Sequence, residues 1–157
     1  MRTALIIFTV FALIGCSRGT GSTATDYPLE VIRLESIYID HPESAKQTID
    51  EMLAVIGRWE VAAPKADYPF VHYRKAIALL RAHKIAFVCH NTTAENQYLD
   101  QLHELLAADR ALSGRMDLDG VGSPLDHESA VNYITRIDDA LRAAAKRVEA
   151  DQRSSQK

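Results

Sequence analysis

The chain has 157 residues, 47% of them apolar and 25% charged, ordinary values that fit one globular domain and leave no room for two comfortable ones. Its formal charge of −3 comes without a basic stripe, which argues against a nucleic-acid surface, because phosphate binding draws on a basic excess.

Met1 and Arg2 make a short positive start, and Ala4 to Ile14 is apolar apart from Thr9, the pattern of a secretory signal. The run is too short for a transmembrane helix, which needs about 18 to 20 apolar residues. It closes on Leu13, Ile14, Gly15 and Cys16, and this resembles the lipobox of bacterial lipoproteins. The resemblance implies transfer of a diacylglyceryl group to the Cys16 sulfur, cleavage before Cys16 and acylation of the new amine, often with palmitate. One acyl chain binds a bilayer only marginally, whereas two or three hold it stably. Competing readings are cleavage after Ala24, with Ser22 and Ala24 as the small-residue pair, or an uncleaved tail. The Ala24 site lies far beyond the apolar run, with Arg18 between. Loss of residues 1–15 takes away one basic residue, Arg2, and no acidic one, so the balance becomes one charge more negative. With Cys16 lipidated, Cys89 has no intramolecular partner, and a small buried hydrophobe is the expected role for it.

Residues 17–26 are small and polar, with no apolar surface to offset the entropy of ordering, so 16–27 is expected to be a flexible tether. Ser17 after the lipid-bearing cysteine is, by similarity to sorting in Gram-negative lipoproteins, consistent with the outer membrane, facing the periplasm.

The remainder, 28–150, is expected to be an all-α, up-and-down bundle of four to five helices, followed by a disordered tail at 151–157. The first helix, about 28–39, is preferred over a strand although Val31, Ile32, Ile37 and Ile39 are β-branched, because Leu29, Ile32, Ser36 and Ile39 share one helical face and a strand would have no partner. Pro42 opens a helix at about 42–61 through Ala45, Ile49, Met52, Leu53, Ile56 and Trp59. Pro69 opens the next, about 69–90, carrying Tyr73, Ile77, Leu80, Phe87 and Val88. Thr92 and Glu95 fit a capping box for a helix at about 93–112, with Tyr98, Leu99, Leu102, Leu105, Leu106 and Leu112 as its stripe. Ser123 and Pro124 start the last, about 124–150, whose seam is Ala130, Ile134, Ile137, Leu141, Ala144 and Val148. Short connections make neighbours antiparallel.

Chemistry-bearing patterns are sparse. Asp117, Asp119, Gly122 and Glu128 match positions one, three, six and twelve of an EF-hand loop, but Val121 and Leu125 stand where oxygen ligands belong; a glycine-rich turn is the plainer account. His103-Glu104 and His127-Glu128 each begin a zinc-protease pattern and then place Ala107 and Val131 where the second histidine is required. Cys89, His90 and His83 could form a metal or redox site at one helix end, against which stands a set of surface histidines near a helix C-terminus. No glycine-flanked serine elbow, phosphate loop or Ser-x-x-Lys pair is present. Asp138 and Asp139 read as a solvated face. Arg74, Lys75, Arg81 and Lys84, with Tyr68, Phe70 and Tyr73 beside them, offer a partner-binding patch; cross-helix ion pairs and core packing would also explain them.

The resulting expectation is a lipid-anchored cell-envelope protein without cofactor or metal, acting as a helical interaction or assembly module on an envelope protein partner. In architecture alone it resembles small helical lipoproteins that pilot or stabilise envelope secretion assemblies, and no residue roles carry over. The alternative is a small-ligand-binding or enzymatic bundle with its site near Cys89 and His90.

Overall fold

Pro28 in the first turn and the Asp26 carboxylate, which accepts the Leu29 N–H at 3.1 Å, start helix α1 (Tyr27–Asp40). Both devices satisfy or remove first-turn donors that a helix cannot pair internally. Its buried face is Val31, Leu34 and Tyr38. Leu29 is exposed, and Ser36 bonds back to the Ile32 carbonyl, so the expected Leu29, Ile32, Ser36 and Ile39 face is rotated from the true one. The computed structural model describes residues 26–118 and 125–154. The expected signal, Cys16 and most of the tether lie outside them, as do Asp119 to Pro124.

Pro42 opens a single 3-10 turn, Pro42–Ser44, and the α-helical geometry of α2 (Ala45–Ala62) begins only afterwards. Thr48, Ile49, Met52, Val55, Ile56 and Trp59 form its buried face, the helical spacing expected of an amphipathic surface helix. A second 3-10 turn, Lys65–Asp67, leads into α3 (Tyr68–Val88), with Pro69 in its first turn.

Helix α3 is the axis of the molecule. All eight residues from Ala76 to His83 are buried, so no solvent-facing side exists there. The alanines at 76, 78 and 82 let neighbouring helices approach closely from more than one direction. One face of α3 supplies Ala76, Ile77, Leu79 and Leu80 to a core completed by α4, α5 and α6. The opposite face supplies Val71, Ala78 and Ala82 to a core built with α1 and α2. Each fully buried Leu or Ile contributes roughly 1.5 to 3 kcal/mol of transfer free energy. Phe87 and Val88, expected on the stripe, are exposed, while Ala86 beside them is the buried residue of that last turn.

Helix α3 ends in a left-handed cap. His90 has φ 54°, its N–H bonds the Phe87 carbonyl at 3.1 Å, and the next N–H, of Asn91, bonds the Ala86 carbonyl at 2.9 Å. These two bonds satisfy carbonyls that the helix end would leave orphaned. Asn91 also starts α4 (Thr92–Ala108), its side chain accepting the Ala94 N–H at 3.2 Å. The cap is therefore Asn91, not Thr92, and Glu95 is not drawn into a capping box.

The expected helix at 93–112 is broken in two. Asp109, non-helical at φ −118° and ψ 85°, accepts hydrogen bonds from His72 and Arg115; this tie ends α4, and Leu112 begins the single turn α5 (Leu112–Arg115). A second left-handed residue, Asp117 at φ 55°, terminates α5 with the same bond pattern: its N–H to Gly114, that of Leu118 to Ser113. The last helix, α6 (His127–Ser154), starts after Asp126, whose carboxylate accepts the Ser129 N–H at 2.7 Å. It therefore begins three residues later than the proline pattern implied. It continues four residues past the expected end, so Asp151 to Ser154 are helical, not a tail. Among the described residues there are six helices and no strand, an all-α bundle, and none of the helices is long and apolar enough to cross a membrane.

Candidate functional site

Two groups of polar side chains converge on α3. The first lies between α1, α3 and α6. Asp138 of α6 is wholly buried, as is Arg81 of α3. The Arg81 Nε donates to Asp138 Oδ1 at 3.0 Å and its Nη1 to Glu35 Oε1 at 2.8 Å, while Arg74 Nη1 donates to Glu35 Oε2 at 2.9 Å. Tyr38 donates its hydroxyl to Asp138 Oδ2 at 2.9 Å, and the Lys84 ammonium stands 3.4 Å from the same oxygen. The Arg81 guanidinium also lies 4.7 Å from the centre of the Tyr38 ring. Burial disfavours the Arg81 charge, but Glu35 and Asp138 overcome it and push its pKa up. Burial, then Asp138, push the Tyr38 hydroxyl up as well, so it stays a donor.

This network corrects two expectations. Asp138 is not part of a solvated face. Arg81 is not part of a surface patch, and the charges around it are spoken for: Arg74 by Glu35, Lys84 by Asp138, and Lys75 by Glu60 at 2.6 Å. A signal did exist. Asp138 falls four residues after Ile134, and Arg81 four after Ile77, each in register with an apolar seam. Replacing a charge pair by apolar residues is often neutral, whereas breaking one leaves an uncompensated charge, so the network penalises any shift of α1 or α6 on α3 that separates these groups.

The second group lies where α3, α4 and the start of α6 meet. His83 is 1% exposed. Its Nε2 is 3.0 Å from Nδ1 of His127, and that same Nδ1 is 2.8 Å from Glu95 Oε1. The two rings lie 5.2 Å apart between centres and 20° from parallel. Burial, then the neighbouring His127, push the His83 imidazolium down, with Glu95 opposing, so His83 favours its neutral form. Its Nδ1 is buried with no hydrogen-bond partner. Among the described residues this is the one place where three His, Cys, Asp or Glu ligand atoms gather, all within 4.8 Å of one another. The sequence offered His83 only with Cys89 and His90; the true partners, 12 and 44 positions away, are brought by the α3 cap and the fold of α6.

The other nominated residues disperse. Cys89 is a free, exposed thiol rather than a buried hydrophobe, and His90 is exposed and occupied with the left-handed cap. A small pocket of about 70 Å³ between α2, α3 and α4 has Cys89 on its wall with Lys46, Asp50, Ala86 and Tyr98, and His90 is not on that wall. Ordinary small-molecule sites hold roughly 300 to 1,000 Å³, so the geometry gives no support to a ligand site at Cys89 and His90. Of the calcium-loop residues, Asp117 is the left-handed cap of α5 and Glu128 is exposed in the first turn of α6; Asp119 lies outside the described residues. His103 is bonded to the Leu125 carbonyl at 2.8 Å. Phe70 is 41% exposed, edge-on to Trp59 at 5.6 Å and beneath the Arg74 guanidinium at 5.3 Å, while Tyr68 is half-buried against His72.

Fold and side chains together define an all-α bundle whose polar interior sits on one central helix. Comparison with models of known protein families, with curated proteins and with solved structures finds no match to this chain in any of the three.

Proposed function

We propose that this protein is a lipid-anchored component of the cell envelope, held through Cys16 at the outer membrane facing the periplasm, and that its bundle is an interaction module for another envelope protein. The observation that carries the reading is the run Leu13, Ile14, Gly15, Cys16 directly after an apolar stretch of signal length, followed by a polar tether that frees the bundle from the bilayer.

Two surfaces suit a partner. Phe70 is exposed and edge-on to Trp59, an aromatic anchor with the Arg74 guanidinium over its ring, the kind of residue that dominates binding energy. At the end of α6 the nine residues from Lys146 to Ser154 are helical and exposed throughout, about 13 Å of helix beyond its packing partners.

Two measurements on protein in its own host test the proposal. Metabolic labelling with a palmitate analogue should mark the wild type and not Cys16→Ser, and the variant should leave the membrane fraction. Proximity crosslinking from position 70 or 148 should then recover one envelope protein reproducibly. An intact Met1, or an unmodified Cys16 thiol by mass spectrometry, overturns the anchor; crosslinks that scatter without preference overturn the module.

A further inference from the structure

We propose that His83, Glu95 and His127 bind one divalent transition-metal ion of the zinc type, through two imidazole nitrogens and a carboxylate, with a further coordination position open to solvent or to a partner's donor.

The first argument is geometric. Donors bound at about 2.0 to 2.1 Å in a tetrahedral zinc site stand about 3.3 Å from each other. His83 Nε2 and His127 Nδ1 are already 3.0 Å apart, Glu95 Oε1 is 2.8 Å from His127 Nδ1, and the whole set falls within 4.8 Å. Side-chain adjustments well under a rotamer change would close three donors around one ion. The donor set, imidazole with carboxylate, suits zinc and its first-row neighbours better than calcium or magnesium, which prefer all-oxygen shells.

The second argument counts hydrogens. His127 Nδ1 faces two neighbours and carries at most one proton. If that proton goes to Glu95, the lone pair of His83 Nε2 gains nothing better than a shared contact. If Nε2 of His83 donates instead, the Glu95 carboxylate confronts a lone pair. One cation would satisfy all three atoms together. Of the two ring nitrogens of His83, Nδ1 is buried without a hydrogen-bond partner, and the one with a polar neighbour is the Nε2 that faces the cluster.

The third argument is placement. The three residues come from α3, α4 and α6, so an ion would tie the first turn of α6 to the central hairpin. His83 is fully buried and held by the core, Glu95 is mostly buried, and His127 is about one-third exposed. This graded exposure supplies an entry path and leaves the fourth position on the outer side, as three-ligand sites do.

The test uses the full chain, stripped with a chelator, and zinc(II) alone as probe, followed by calorimetry and by the visible spectrum of cobalt(II) as a substitute. The expected result is one ion per chain, a rise in thermal midpoint with zinc, and affinity lowered at least about tenfold in both His127→Asn and Glu95→Gln. Cys89→Ser and His41→Ala should bind as the wild type does. Circular dichroism of the metal-free variants confirms that they fold. No binding by the wild type at about 100 μM zinc overturns the proposal without reference to any variant. Unchanged affinity in both His127→Asn and Glu95→Gln, or loss of binding in Cys89→Ser, overturns it equally.

Discussion

A single carboxylate shows how burial changes a residue's meaning. Asp138 has no solvent access and holds Arg81, Tyr38 and Lys84 together. Asp138→Asn keeps the shape and removes the charge, leaving Arg81 underpaired inside the core, so we expect a loss of about 3 to 5 kcal/mol. Glu35→Gln, at a partly exposed acceptor, should cost clearly less. Urea titrations of the two variants decide the matter, and equal losses would show that the buried end of the network has no special weight. His90 poses a backbone question at the same scale. A histidine at φ 54° pays a steric penalty that glycine does not. His90→Gly should therefore raise stability by about 1 kcal/mol, less any gain in unfolded-state entropy; a variant less stable than wild type would mean the imidazole makes a contact worth more than the strain.

Between elements, Asp109 is the joint of α3, α4 and α5. Burial pushes its carboxyl up, but the hydrogen bonds from His72 and Arg115 win and hold it below the ordinary carboxylate value. A depressed folded-state pKa means the unfolded chain binds the proton more readily. The stabilisation is present above about pH 4 and is lost as pH falls through the folded value. Measured by denaturant unfolding between pH 6 and pH 2.5, Asp109→Asn should start less stable than wild type and then lose stability less steeply below about pH 4. Parallel curves would remove Asp109 from the acid response. The same joint explains why one apolar stripe, Leu99 to Leu112, is two helices: the stripe records which residues face the core, and Leu112 does face it, but it does not record a break made by a polar tie from α3.

For the whole molecule, the all-α class and the faces of α2 and α4 were legible, though not the count of helices, because apolar side chains recur at helical spacing wherever one side of a helix meets a core. Helix α3 was less legible. Its middle is buried all round, so period says little there beyond the register of Arg81 with Ile77, and His83 looks like a surface residue until two layers close over it. The start of α2 slipped by three residues at Pro42, since a proline fixes φ without deciding between a 3-10 and an α turn.

What the chain's own order of residues determined was local: an all-α bundle and the apolar faces of its amphipathic helices. Tertiary structure alone decided which polar groups meet. Arg81 finds Asp138 across 57 positions and His83 finds His127 across 44, and nothing in the spacing of either pair announces the other. The reason is physical: helical periodicity is imposed by neighbours three and four residues away, whereas the pairing of buried charges and imidazoles is imposed by the desolvation of groups that only a closed core brings together.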